Sequence, residues 1–309
     1  MQTKNFSHTP VLLEEVLREL KIKPDGIYVD ATVGGAGHSL EIAKKLKTGK
    51  LFAFDKDPDA VLVAKEKLKD YTAKIINEDF KDMATILKEE KIEKVDGILM
   101  DLGVSSFQLD SKERGFSYLK TGPLDMRMSK KGTSAKDILN TATQEELIYI
   151  LKEFGEEKFA FKIAQNIILE REKKTIKTTK DFADIINRSV PFKFKRNKNP
   201  AKKSFQAIRI AVNGEFFSLK QGLNEAFSIL NPGARLLIIS FHSLEDRIVK
   251  NFYKEKAKGC ICPKDIPICV CNKKPQAKII TKKPIIPSKE EISKNKRAHS
   301  AKLRVLEKI

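Results

Sequence analysis

Acidic residues recur in this chain where a run of β-forming residues gives way to a turn. Asp30 follows Tyr28-Val29 and precedes the glycine-rich turn Thr32-Val33-Gly34-Gly35-Ala36-Gly37-His38; Asp55 follows Phe52-Ala53-Phe54; Glu78-Asp79-Phe80 follows Lys74 to Ile76. Glycines let the backbone approach a ligand closely, and a helix opening behind such a turn offers unpaired N–H groups and positive potential. Several cofactor classes share a glycine-rich turn, so the acids must discriminate. A dinucleotide site places its pyrophosphate at this turn and has no need of a carboxylate there, whereas Asp30 suits the amino group of a methionine. Asp55 stands where a carboxylate at the second strand's end holds both ribose hydroxyls. Asp79 and Phe80 suit adenine, one through its amino group and the other through its ring face. The pattern fits S-adenosylmethionine, with Asp30, Asp55, Asp79 and Phe80 as contacts around the glycine-rich turn at Gly35. Any one such acid also suits a helix cap; three in succession carry the reading.

A fourth acid opens Asp101-Leu102-Gly103-Val104-Ser105-Ser106-Phe107-Gln108-Leu109-Asp110, after the β-rich run Val95 to Leu99. The carboxyl end of a parallel sheet is where α/β enzymes place their chemistry. Enzymes that methylate exocyclic amines usually carry Asp or Asn, Pro, Pro, aromatic in this slot, and that signature is absent here.

The elements that must position these groups alternate: strand Gly26 to Ala31, helix near Ser39 to Leu46, strand Lys50 to Phe54, helix Asp59 to Lys69, strand Lys74 to Ile76, helix near Lys81 to Glu90, strand Val95 to Leu99. Such alternation implies a parallel sheet covered on both faces. It then stops. Asp137 to Lys152, Glu156 to Lys173 and Thr179 to Ser189 read as consecutive amphipathic helices, before Leu219 to Leu230 (helix), Ala234 to Ser240 (strand) and Leu244 to Lys256 (helix) resume the pattern. The expected fold is α/β, a Rossmann-like sheet split by an inserted all-helical domain: residues 1–109 and 207–309 bind the cofactor, and 110–206 form the insertion that recognises substrate. An N-terminal helix with Leu13, Val16, Leu17 and Leu20 on one face is expected to start at Thr9-Pro10, beside a weak candidate contact, His8.

With 60 Lys+Arg against 41 Asp+Glu, the 309 residues carry +19 and a pI near 9.6, which favours a polyanionic partner. A chain 41% hydrophobic and 33% charged is globular rather than disordered. Neither a membrane span nor a leader is evident, so a cytoplasmic protein is expected. Lys193, Lys195, Arg196, Lys198, Lys202, Lys203 and Arg209 occur with no acid between Arg188 and Arg209, interleaved with Phe192, Phe194 and Phe205. That mixture suits phosphate neutralisation with base stacking.

Several longer motifs are more specific. Asp101 to Ser106, Arg114-Gly115-Phe116-Ser117 and Gly122-Pro123-Leu124-Asp125-Met126-Arg127-Met128 resemble the MraW family of ribosomal RNA methyltransferases. So do His8 to Leu13, Gly155-Glu156-Glu157, Pro200 to Ile210, Ser240-Phe241-His242-Ser243-Leu244-Glu245-Asp246-Arg247 and Ser300 to Arg304. These motifs span nearly the whole chain in order. Asn213-Gly214-Glu215 stands where the family commonly has Asn-Asp-Glu, and Asn199 precedes Pro200 where a histidine is usual.

The resemblance implies a class I methyltransferase that uses S-adenosylmethionine to methylate the N4 amine of a cytidine in the decoding region of bacterial 16S rRNA, with the rRNA or the 30S subunit as partner. It implies cofactor contacts at Ala36, Gly37, His38, Asp55, Phe80, Asp101 and Gln108. For the amine itself the candidates are Asp101, Ser105, Ser106 and His242. Two other readings compete. One is a different nucleic-acid amino-methyltransferase, against which the missing Pro-Pro motif counts; the other is a cofactor-binding, RNA-associated protein without this chemistry. The oligomeric state stays open, a homodimer included.

All four cysteines lie between 260 and 271, as Cys260-Ile261-Cys262 and Cys269-Val270-Cys271. This is no disulfide framework, and the spacing within each pair is tighter than zinc ligands usually show. No metal is expected in the catalytic site; a structural zinc and a reduced loop remain equally open for the cysteines.

Overall fold

The computed structural model describes residues 10–195, 199–260, 262, 271 and 273–309. His8, Thr9, Arg196, Lys198 and Cys269 lie outside the described residues. In chain order the first elements are α1 (Leu13–Leu20), β1 (Ile27–Asp30), α2 (Gly37–Ala43), β2 (Lys50–Phe54), α3 (Pro58–Lys67), β3 (Ala73–Ile76), α4 (Met83–Glu89) and β4 (Val95–Asp101). Helices then follow one another: α5 (Ser106–Asp110), α6 (Ala135–Thr141), α7 (Gln144–Tyr149), α8 (Ala160–Lys173), α9 (Thr179–Ser189) and α10 (Ala201–Asn213). The chain closes with α11 (Glu215–Ile229), β5 (Leu230–Ser240), α12 (Ser243–Ala257), β6 (Ala277–Ile279), α13 (Lys289–Lys294) and β7 (Lys302–Lys308).

The chain divides into two compact units, 1–103 with 217–309, and 104–216. The expected insertion, 110–206, lies within the second unit, and α10 runs unbroken past residue 206.

In the first unit the strands form one sheet in the order β3-β2-β1-β4-β5-β7-β6. β1 to β5 are parallel, while β7 runs antiparallel to β5 and to β6. This is the α/β sheet expected of a class I methyltransferase. Side chains alternate across it as the two-residue period of a strand requires. Val29, Phe52, Phe54, Ile98, Met100, Leu236 and Ile238 pack with α4, α11 and α12. Tyr28, Leu51, Ala53, Leu99, Leu237 and Ile239 pack with α1, α2 and α3. Burial on both faces is why these strands read as continuous apolar runs.

α1 starts at Leu13, later than Thr9-Pro10 suggests. Leu12 takes the left-handed conformation ahead of it, and its N–H donates to the Glu291 carboxylate at 2.8 Å. No helix of the described residues is long and apolar enough to cross a membrane.

The second unit has its own core, built on Leu139, Leu147, Leu151, Ile163, Ile167, Phe182, Ile186, Phe205 and Ile208. The helix expected over Asp137 to Lys152 is two, because Thr143 accepts the Glu146 N–H and restarts the chain as an N-cap. Ser134 with Asp137 and Thr178 with Asp181 cap α6 and α9 in the same way.

Candidate active site

β2, β1 and β4 are neighbours in the sheet, with Asp30 paired in register to Ala53 on one side and Leu99 on the other. Asp30, Asp55 and Asp101 therefore gather at the carboxyl ends of adjacent strands. The turn between β1 and α2 is held over them from several directions. Asp30 is buried, accepting from the Ser39 hydroxyl at 2.6 Å and the Thr32 N–H at 3.1 Å. The Thr32 hydroxyl accepts from the Asp101 N–H at 2.6 Å, tying the turn to β4. Ala36 is left-handed at φ 60°, and at Gly37 a side chain would strike the Pro10 ring. Gly35 has open space where a Cβ would point, so the turn leaves room there.

Asp55 accepts from the Gly34 N–H at 2.9 Å and from the Asp57 N–H at 2.8 Å. Each of its oxygens keeps a second lone pair for a diol. His38 is buried with Nε2 at 2.9 Å from the Val11 carbonyl, which can only accept, so that nitrogen carries the proton. Its Nδ1 faces Asp101 Oδ2 at 3.6 Å. Asp101 Oδ1 is enclosed and has no hydrogen-bond partner among the described residues, although the carboxyl as a whole is about a quarter exposed.

These surroundings set the titration. Burial pushes Asp30 up to about 6, against the hydrogen bonds from Ser39 and Thr32. Burial likewise pushes Asp55 up to about 6 against the amides of Asp57 and Gly34, with the Asp57 and Asp30 charges adding to the rise. Asp101 goes furthest, to about 8, through burial and then the charges of Asp30 and Glu245. Among the described residues, no lysine or arginine offsets any of the three. Three acids without a cation are costly for a fold to keep unless a ligand supplies the positive charge.

The remaining expected residues have visible work in the fold. Asp79 caps the short turn Phe80–Asp82 by accepting the Lys81 N–H, and also accepts from the Ser218 hydroxyl at 2.8 Å and Lys56 Nζ at 3.4 Å. Phe80 lies against Gly222 of α11, where a Cβ would come within 2.5 Å of the ring. His242 is the N-cap of α12: its Nδ1 accepts the Glu245 N–H, and Nε2 stands 3.0 Å from the Glu245 carboxylate. In the second unit, Ser105 and Gln108 form a capping box around α5, the Ser105 hydroxyl accepting the Gln108 N–H and Gln108 Oε1 accepting the Ser105 N–H. Ser106 opens that helix. Thus Asp30, Gly35, Ala36, Gly37, His38, Asp55 and Asp101 come together at β1, β2 and β4, while Ser105, Ser106 and Gln108 belong to the other unit.

Sequence reasoning missed Glu245 and Thr32. Glu245 is buried, accepts the Phe241 N–H at 3.0 Å and adds charge beside Asp101. Its signal was legible: His242-Ser243-Leu244-Glu245 has the spacing of a capping box. Thr32 had no comparable signature.

The insertion's motifs are structural to a large degree. Arg114 is buried and donates to the carbonyls of Arg127 and Met128 at 2.9 and 3.0 Å; Asp125 grips Arg127 through both oxygens. Asn213 accepts the Met128 N–H and donates to the Met126 carbonyl. Gly214, at φ 58°, ends α10 in the left-handed conformation, which suits glycine in place of the commoner Asp. Two members of the basic segment drop out of the solvent-facing set. Arg209 pairs with Glu215 at 2.8 and 2.9 Å, and Phe205 is buried, stacked on Phe182 at 5.0 Å. Phe192 and Phe194 stay exposed, at 73% and 49%, among the lysines.

Residues 5–309 match the family described as the MraW methylase family. A relative from Clostridium botulinum (strain Kyoto / Type A2) named ribosomal RNA small subunit methyltransferase H is 54% identical over 307 residues, covering 98% of this chain and 99% of its own. Proteins of the same name from Finegoldia magna and Caldicellulosiruptor saccharolyticus are 52% and 54% identical, over 98% of this chain and 99% and 100% of theirs.

Proposed function

The chain belongs to the MraW methylase family, and from that premise we propose that it transfers the methyl group of S-adenosylmethionine to the N4 amine of a cytidine in the decoding region of bacterial 16S rRNA. Relatives that match end to end at more than half identity are named for the small-subunit rRNA. The single observation behind the cofactor site is the row of three acids with raised pKa values and no cation of their own, with Asp101 Oδ1 enclosed and unpartnered. S-adenosylmethionine fits this donor set: it carries two cationic groups, a sulfonium and an ammonium, to face Asp101 and the negative potential of Asp30, and a ribose diol that suits Asp55.

In this reading Asp55 holds the ribose hydroxyls, Phe80 flanks the adenine, and the Gly34–Gly37 turn leaves space for the methionine portion. Asp30 keeps the turn in shape through Ser39 and Thr32 and adds negative potential. Asp79 is left out of the ligand set because it caps the Phe80–Asp82 turn through Oδ1 and its Oδ2 already accepts from both Ser218 and Lys56. When bound, the cofactor supplies an electrophilic methyl group on a positively charged sulfur.

The cytosine N4 lone pair is delocalised into its ring, so alignment is much of the catalysis, and aligned geometry alone is worth several powers of ten. The methylated amine must then shed a proton. Asp101 is a weak base while it faces a cation and a stronger one once that charge has gone, which times it to accept this proton. His38 Nδ1, 3.6 Å away, can share it. His242 acts by holding Glu245 and the start of α12 rather than by meeting the amine. Ser105 and Gln108 act by shaping α5.

The helical unit is the proposed RNA-recognising part. Exposed Phe192 and Phe194 with Lys193, Lys195, Lys202 and Lys203 offer stacking and phosphate contacts. A cytidine in folded RNA has to be turned out before it meets such a site. The enzyme then works in the cytoplasm, where its substrate is.

The test is methyl transfer from labelled S-adenosylmethionine to small ribosomal subunits from a strain lacking the gene, followed by nucleoside analysis. Label in N4-methylcytidine is expected. No label on the subunit or on free 16S rRNA, with cofactor binding intact, would refute the substrate.

A further inference from the structure

The described cysteines are not among the site residues above, yet their sulfurs are gathered. The Sγ atoms of Cys260, Cys262 and Cys271 all lie within 4.8 Å of one another, and those of Cys260 and Cys271 are 3.7 Å apart. A disulfide needs a separation of about 2.0 Å. A tetrahedral zinc site with Zn–S bonds of about 2.3 Å has S···S edges of about 3.8 Å. The Cys260–Cys271 separation already has that value, and a shift of about an ångström brings the third sulfur to the same distance.

The surroundings favour a built site over chance proximity. Residues 258–276 link α12 to β6, a long connection that is unusual in a compact domain unless something pins it. Its two ends are drawn together: Gln276 N–H donates to the Lys256 carbonyl at 2.9 Å, and at Gly259 a Cβ would stand 3.2 Å from the Pro275 ring. The cysteines follow directly inside that neck, Cys260 and Cys262 on one limb and Cys271 on the other. Lys258, Lys273 and Lys274 flank them and offset the negative charge that thiolates bring. Soft sulfur ligands in tetrahedral spacing select zinc among the common divalent ions.

We propose that Cys260, Cys262 and Cys271 bind one zinc ion that clips the α12–β6 loop closed. The three sulfurs leave a fourth tetrahedral position; Cys269 lies outside the described residues and no role is assigned to it. The ion is structural. Thiolates from both limbs hold the connection through metal–sulfur bonds. The proposal stands or falls independently of methyl transfer.

Full-length protein purified under reducing conditions without chelator is assayed for metal by mass spectrometry. About one zinc per chain is expected, falling to under about a tenth in the double variant Cys260→Ser, Cys271→Ser, with S-adenosylmethionine binding retained. Protein that contains no zinc and takes up none when zinc is added, or a double variant that keeps its zinc, overturns the site. Iron in place of zinc overturns the metal assignment. Should the double variant fail to fold, cobalt exchanged into the wild-type chain decides: an intense thiolate-to-cobalt charge-transfer band is expected, and its absence refutes sulfur ligation.

Discussion

Acids in the two units are treated in opposite ways. In the α/β unit Asp30, buried, and Asp55 and Asp101, half-buried, stand at neighbouring strand ends and are driven up, to about 6, 6 and 8. In the helical unit burial would raise Asp125 too, but hydrogen bonds and charge from Arg127 hold it below its usual range. Asp137 is held down chiefly by the Ser134 hydroxyl, and Asp181, despite its burial, by the Thr178 hydroxyl and amides. The helical unit satisfies its carboxylates internally, so its acids build structure. The α/β unit leaves these three strand-end carboxylates short of positive charge, so they are poised for a cationic ligand, whereas its Asp246 is held down by Arg304. An acid's motif matters less to its role than whether the fold has already given it a partner.

Asp101→Ala breaks the comparison hardest: methyl transfer should fall about a thousandfold while the fold persists, as expected when a preorganised charge is removed. Single-turnover rates check this, and a rate within a few fold of wild type would remove Asp101 from the mechanism. Next comes the helical unit. Arg114→Ala strips hydrogen bonds from two buried carbonyls and should lower unfolding free energy in urea by about 2–3 kcal/mol. Asp101→Asn should cost little or nothing there.

A pH series sharpens the contrast. The three folded-state pKa values lie above the ordinary Asp value, so their contribution to stability is present below about pH 4 and is lost as pH rises through about 6 and about 8. The thermal midpoint without cofactor should therefore fall from pH 5 to pH 8. Cofactor affinity should rise about tenfold or more from pH 6 to pH 8, because Asp101 must ionise to hold a cation. Titration calorimetry reads the affinity, and Asp101→Asn should flatten it. The smallest effect belongs to Gly222→Ala: its Cβ would crowd Phe80, and the cofactor KM should rise severalfold with kcat little changed.

Much of this was legible because the local pattern and the tertiary role agree. Leu51-Phe52-Ala53-Phe54 is apolar because both faces of β2 are covered, so the run and its closing Asp55 stand out. β7 did not stand out. Lys302, Arg304, Glu307 and Lys308 disguise a strand whose Leu303, Val305 and Leu306 are fully buried at about 1.5–3 kcal/mol each, and Arg304 is acceptable there only because Asp246, distant in sequence, pairs with it at 2.6 Å. Ser105, Gln108 and His242, candidates for chemistry in the sequence, also sit three residues from a capping partner, a spacing that announces a helix start. Phe205 and Arg209 looked like an RNA face because the partners that occupy them, Phe182 and Glu215, declare themselves only in three dimensions.

The most direct test of the central claim is proton release on cofactor binding, measured by calorimetry at pH 7 in two buffers of different ionisation enthalpy. With Asp101 at about 8 before binding and facing a cation afterwards, the wild type should release about one proton and Asp101→Asn close to none. Binding with no proton released, or with the same release from both proteins, would contradict the assignment of these strand-end acids to the cofactor.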